Sequence, residues 1–320
     1  MGLFSKKVSC IGLDIGEHTI KIMEVRPTGS GYEVINFGIA PTPTEGSAVE
    51  NEQNIVSTLQ KLMEKLAGNS TGVAMAVSGE NIILRDLTVP PMPDNELTEA
   101  VRYEAEALLP IPGKDVTIDF VKSDIILDGD IKKQEILIVA VRNETIDRLT
   151  RFAESVGLHP RVIDIEPLTL FRAMKKLNPG MLPSDGSYAV INIGSASTNI
   201  SVFKGSRLLF TRTAGIGGQK LSEILPPMIG ELVTEVRRSL EYYLAQYREQ
   251  KISHIFMTGG GTQQEGLTSY INSELGIPVV VFNPAQYLQV SRKIQHLEKA
   301  IIDAGSALTQ VAGLALSEVD

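Results

Sequence analysis

The sequence predicts an α/β protein of two similar lobes, with a small α+β unit inserted into the first. Three observations carry this. Short β-rich runs alternate with stretches of helical period. Leu13-Asp14-Ile15-Gly16 is echoed by Ile191-Asn192-Ile193-Gly194 at an offset of 178 residues, which suggests an internal duplication. Between the two, Val89-Pro90-Pro91-Met92-Pro93 makes a rigid joint where the texture of the chain changes. With 320 residues the chain suits two domains or one two-lobed unit. It can bury about three quarters of its unfolded surface without staples.

The elements follow in order. Residues 8–15 and 20–26 read as two strands around a tight turn, and residues 32–40 as a third. Ile55, Leu59, Leu62 and Leu66 share a helical face that Gly68 stops. Residues 73–77 resume the sheet. Past the proline joint, Asp94 suits the N-cap of a helix carrying Leu97, Val101, Ala105 and Leu108 and ended by Pro110. Strands at 116–126 and 135–141 flank the turn Asp128-Gly129-Asp130. A helix then runs from Asn143 to Gly157 and buries Ile146, Leu149, Ala153 and Val156. Ile165-Glu166-Pro167 opens another. The second half starts with strands at 188–193, 199–203 and 207–213. A helix after Pro227 buries Ile229, Leu232, Val233, Val236, Leu240 and Leu244, and a strand at 252–258 feeds Gly259-Gly260-Gly261 and a further helix. The expected division is residues 1–85 and 162–187 for the first lobe, 86–161 for the insert, and 188–320 for the second lobe.

Composition excludes several classes. Hydrophobic residues are 43% and charged residues 21%, as in a folded soluble protein. Thirty basic residues against 38 acidic ones give a net charge of −8, and there is no tryptophan, so nucleic acid is not an expected partner. The single cysteine, Cys10, excludes an internal disulfide framework and any Cys-based metal centre; it reads as core filling. No apolar run approaches the ~20 residues needed to span a bilayer. The basic start at residues 1–7 lacks the apolar core of a signal peptide, and Lys6 stands where a myristoylation signal wants Ser or Thr. A cytoplasmic location is expected.

The common phosphate and hydrolase signatures are missing from the sequence: GxxxxGK[ST], GxGxxG, HExxH and GxSxG. What remains is an ordered set of segments. Asp14, Gly16, Glu17, His18 and Thr19 form a hairpin whose backbone amides can wrap a phosphate, with Lys21 supplying charge. Asn192, Gly194, Ser195 and Ser197 form a second hairpin of the same type. Gly217 and Gly218 precede a helix, where N-terminal amides favour an anion. Gly259, Gly260 and Gly261 let a ligand approach the backbone. Singly, each has a plain reading: a strand end, a solvated strand face at Lys21, a tight turn. Two similar lobes facing each other make a cleft, the usual place for a small ligand.

The order of these segments resembles the actin-like ATPase superfamily, which includes actin, the heat-shock 70 chaperones, sugar kinases and the division protein FtsA. The resemblance implies two phosphate loops, a connecting helix after Ile165 and an adenosine loop at Gly259 to Gly261. It implies ATP and Mg2+ as cofactors, with Asp14 toward the magnesium. Residues 235–240 look like the adenine-lining helix, which makes Arg238 a candidate contact, and residues 304–307 resemble the second connecting helix.

Within that superfamily the chain is similar to the PilM family of type IV pilus assembly proteins. The short start before the first loop, the Pro-Pro-Met-Pro joint, the inserted unit and residues 236–243 carry this likeness. It implies a two-lobed actin-like ATPase fold and a cytoplasmic ATP-binding scaffold at the inner face of the inner membrane. The implied partners are the N-terminal tail of the inner-membrane protein PilN and other components of the pilus machinery. One departure stands out. Most hydrolysing relatives carry Asp where this chain has Asn192, and a neutral amide can supply neither charge nor a base. Slow or absent hydrolysis is therefore expected.

The insert holds nine basic and 15 acidic residues, an excess that suits plain solubility or the steering of a basic tail. The competing reading is an FtsA-like, filament-forming division protein at the membrane, but the acidic close Ser317-Glu318-Val319-Asp320 does not look like its amphipathic anchor. A sugar kinase with a cysteine-rich zinc loop is excluded by the single cysteine.

Overall fold

The computed structural model describes residues 10–66, 70–108, 115–218, 227–248 and 251–318. The expected helix stops at Gly68 and Pro110 lie outside the described residues.

The first sheet begins as a meander. β1 (Ile11–Ile15) pairs antiparallel with β2 (Thr19–Thr28), and β2 with β3 (Gly31–Pro41). The run from Ile11 to Asp14 is buried, the continuous pattern of a strand covered on both faces. α1 (Ala48–Met63) starts with a capping box: Ser47 Oγ accepts from Glu50 N–H while the Glu50 carboxylate accepts from Ser47 N–H. Its Ile55, Leu59 and Leu62 lie against the sheet, as their spacing predicts. β4 (Gly72–Val77) returns parallel to β1.

The insert follows as β5 (Ile82–Val89), α2 (Asp94–Leu108), β6 (Val116–Asp128) and β7 (Ile131–Arg142), a three-stranded sheet in the order β5-β7-β6. Leu97, Val101 and Ala105 of α2 pack on Ile136, Ile138 and Ala140 of β7. Asp94 is the first residue of α2, not its cap, and its carboxylate pairs with Lys122. α3 (Asn143–Glu154) follows, but Phe152 and Ala153 pack into the first sheet's cluster with Ile11, Leu59 and Val73. The unit expected at 86–161 is thus divided by its packing: residues 82–142 make the small sheet and its helix, while α3 and β8 (His159–Ile165) lie with the first sheet.

α4 (Glu166–Leu177) leads to the second sheet, made of β9 (Ser187–Ile193), β10 (Thr198–Lys204) and β11 (Arg207–Ala214). α5 (Pro227–Tyr247), β12 (Ile252–Thr258), α6 (Leu267–Leu275) and β13 (Val279–Val281) complete it. Leu232, Val233, Val236, Leu240 and Tyr243 of α5 are buried with the sheet's inner residues. The strand order β11-β10-β9-β12-β13 repeats the order β3-β2-β1-β4-β8 of the first sheet, and in both an antiparallel meander is followed by parallel strands. The duplication suggested by the repeated tetrapeptide therefore extends to the topology of whole sheets.

The end of the chain crosses back. β14 (Leu288–Val290) pairs parallel with β3, so it extends the first sheet, not the second. α7 (Glu298–Ala304), a 3₁₀ turn at Gly305–Leu308 and α8 (Thr309–Ala315) follow, where residues 304–307 were expected to be helical. Val311, Ala312 and Ala315 join Leu170, Ala173 and Met174 of α4 in a cluster that also takes Tyr188, Val190 and Phe203 of the second sheet. Residues 288–315, expected within the second lobe at 188–320, therefore touch both lobes: β14 and α8 pack on the first, while Ser306 and Thr309 bond to Thr258 and Gly259 of the second. The helices meet backbone to backbone: a Cβ on Gly313 would fall 2.0 Å from Thr169 O.

Candidate functional site

The two hairpins close in the same way. Gly16 N–H donates to Thr19 O at 3.1 Å, and Gly194 N–H donates to Ser197 O at 2.9 Å. Both pairs are related by the offset of the sequence repeat. Each turn is braced from behind. In the first, Thr42 donates its hydroxyl to Gly16 O (2.6 Å) and its N–H to His18 O (2.9 Å). In the second, Gly218 N–H donates to Gly194 O (2.7 Å) and Thr198 Oγ1 to Ile216 O (2.7 Å). Glu17 and His18 are exposed, while residues 194–197 are half-buried.

The glycine segments converge on the second hairpin. A Cβ on Gly217 would lie 2.4 Å from the Ser195 carbonyl, so only glycine lets this backbone come so near. Gly259 has φ +89°, and a Cβ there would lie 2.4 Å from Asn192 Oδ1. The loop is pinned to the chain's return: Gly259 N–H donates to Ser306 O, and Ser306 Oγ donates to Gly259 O. Gly260 and Gly261 open the short 3₁₀ turn Gly260–Gln263. The helix expected directly after Gly218 lies outside the described residues.

Side chains of unlike charge occupy matching places in the two lobes. Asp14 faces Lys21 across β1 and β2, and the buried carboxylate and ammonium meet at 2.9 Å. The matching pair across β9 and β10 is Asn192 and Asn199, both neutral. Asn192 Nδ2 donates to Glu166 Oε1 at 2.8 Å. Glu166, in the first turn of α4, is buried, and desolvation pushes its carboxyl up; hydrogen bonds from Asn192 and Ser78 act the other way, and the charge of Asp14 adds to the rise. Ser78 in turn accepts from Gln310 Nε2 at 3.5 Å. Asp14 from one lobe and Asn192 from the other thus share Glu166 as a neighbour.

Glu166 was visible in the sequence as a helix opening but not as a site residue. The available signal was a carboxylate set between Ile165 and Pro167 at the end of an apolar strand. Arg238 lies elsewhere in character: it is exposed on α5 and pairs with Glu235 (3.0 Å), which also takes Arg212 (2.9 Å).

Two matching turns carry backbone amides of the kind that wrap anions, glycines pack against the second, and Lys21 Nζ stands beside Gly16. Among the described residues no group of three or more His, Cys, Asp or Glu gathers as a metal cage. A magnesium ion that travels with phosphates needs only one or two carboxylates; Asp14, expected in that role, is paired with Lys21 in this structure.

A family model described as type IV pilus assembly protein PilM matches residues 12–223 and 221–319. The solved PilM–PilN type IV pilus biogenesis complex contains a chain that is 26% identical, with a TM-score of 0.82, covering 98% of this chain and 99% of that one. The ethanolamine utilization protein EutJ from Carboxydothermus hydrogenoformans is similar in fold, at TM-score 0.50 and 16% identity over 96% of this chain and 89% of its own. The cell division protein FtsA of Bacillus subtilis (strain 168) is 26% identical over 284 residues, 80% of this chain. The chain spans 63% of the length of that relative. Among the described residues no helix is long and apolar enough to cross a membrane.

Proposed function

Because the chain belongs to the family of type IV pilus assembly protein PilM, we propose that it is an ATP-binding scaffold that holds the N-terminal tail of PilN at the cytoplasmic face of the inner membrane. It has the two-lobed actin-like fold. The observation that supports nucleotide binding best is the matching closure of the two hairpins, Gly16 to Thr19 and Gly194 to Ser197. When bound, magnesium-ATP would supply a polyanion to the residues of both hairpins. The turn amides between Gly16 and Thr19 and between Gly194 and Ser197 would orient the phosphates, Lys21 would offset their charge, and the backbone of Gly259 to Gly261 would take the nucleoside against Ser306. Arg238 is assigned to the adenine side by family likeness.

The same residues argue for slow turnover. Asn192 cannot take a proton from water, and it is already committed to Glu166. Glu166 is buried and already accepts hydrogen bonds from Asn192 and Ser78, which occupies it. PilN as partner is supported by the PilM–PilN complex, and the acidic excess of the insert would steer a basic tail into a groove beside it. The likeness to FtsA favours a second reading, a filament-forming protein at the membrane; filaments by microscopy with ATP present would establish it.

The test is to incubate the pure protein with Mg-ATP, separate it from free nucleotide and analyse both pools by chromatography. Intact ATP retained on the protein is expected. Rapid appearance of ADP would make the protein a true ATPase and overturn the reading of Asn192. No retained nucleotide would overturn the reading of the cleft.

A further inference from the structure

Away from the cleft, the insert is fastened to the second lobe at one seam. Arg207, at the start of β11, pairs with Glu135 of β7 and lies 3.6 Å from Asp86 of β5. The Tyr247 hydroxyl, at the end of α5, is 2.5 Å from Asp86 Oδ2 and 2.6 Å from Leu209 O. The network is not saturated. Arg207 Nε is buried without a hydrogen-bond partner, and the single Tyr247 proton serves two acceptors. One donor too many sits beside one acceptor too many, so a small shift can exchange one set of bonds for another at little cost. Beside the seam runs a groove of about 380 Å³, lined by Leu84, Asp86, Phe210 and Tyr242 among others.

The same hairpin reaches the cleft. β10 and β11 pair from Lys204–Arg207 at one end to Thr198–Ala214 at the other. Eight extended residues span about 24 Å. At the cleft end, Thr198 leaves the second phosphate hairpin, Ala214 leads into Gly217 and Gly218, and Gly218 N–H holds Gly194 O. We propose that the β10–β11 hairpin is a lever: closure of the second hairpin on a nucleotide shifts its far end, and the Arg207–Tyr247 latch passes that shift to the insert and its groove. The two states differ in which of Asp86, Glu135 and Leu209 O the latch holds, so both sites bias one bistable element. This rests on the nucleotide reading of the cleft.

The experiment is amide hydrogen exchange of β5 and β7 in the full chain, with and without Mg-ATP, beside direct titration of nucleotide binding. In the natural protein, ATP is expected to change exchange in β5 by about fivefold or more. Arg207→Met should still bind nucleotide, with its affinity changed by no more than the same factor of about five, and should lose that change in exchange. Tyr247→Phe, which keeps the ring stack on Tyr243, should reduce the change and serves as the milder variant should Arg207→Met fold poorly. ATP that binds without altering β5 exchange overturns the lever alone. An undiminished change in either variant also overturns it. Absence of ATP binding overturns the cleft reading and the lever together.

Discussion

The two hairpins share a backbone and differ in charge. Gly16 and Gly194 make the same turn in the same register, yet the strand pair behind the first carries Asp14 and Lys21, and the pair behind the second carries Asn192 and Asn199. Behind the first hairpin the two charges are matched by one ion pair. Behind the second the matching pair is neutral, and Asn192 holds Glu166, the residue at the start of the helix between the lobes. The two turns share a geometry, and two side chains distinguish the charged strand pair from the neutral one.

The strongest test of that division is Lys21→Met. It strands a buried carboxylate and should cost about 3–5 kcal/mol by urea denaturation. Asn199→Ala, at the matching place, loses hydrogen bonds to Thr211 and Ser201 and should cost only about 1–2 kcal/mol. Equal losses would mean that charge is not what distinguishes the lobes. Next is Asn192→Asp, which supplies the missing carboxylate. Steady-state ADP release should rise by about tenfold or more, within the range of one added acid–base group; an unchanged rate would place the limit elsewhere in the cleft.

The smallest expected effect is on the pH dependence of stability. Burial raises the Glu166 carboxyl above its ordinary value near 4.5, so the folded chain holds that proton more tightly than the unfolded chain. The resulting stability is fully present below pH 4.5 and is lost as pH rises through the folded value. Glu166→Gln should flatten that decline and be relatively more stable at alkaline pH. Parallel curves for the two proteins in denaturation series would show that Glu166 titrates as it does in the unfolded chain.

What was legible in the sequence was contiguous. The repeat of Leu13 to Gly16 at Ile191 to Gly194 lies within a few residues on each side, so hairpin, register and lobe could be read together. Glu166 was not legible as a site residue because its partners, Ser78, Asn192 and Asp14, come from three separate segments. Periodicity told that Ala153 of α3 is buried but not what buries it, and the answer was the first sheet, not the insert. β14 is three residues long, too short for alternation to announce a strand, and only its pairing with β3 reveals it.

That pairing has a consequence for the order of assembly. Leu288 lies beside Tyr32, on the order of 250 residues away along the chain, and Gly313 presses on Thr169. While the protein is being made, β3 is an open edge and α4 lacks its cover, although every other strand of the first sheet has left the ribosome. The first lobe to be synthesised is therefore the last to be finished, and it waits with apolar surface bare until residues 288–315 arrive.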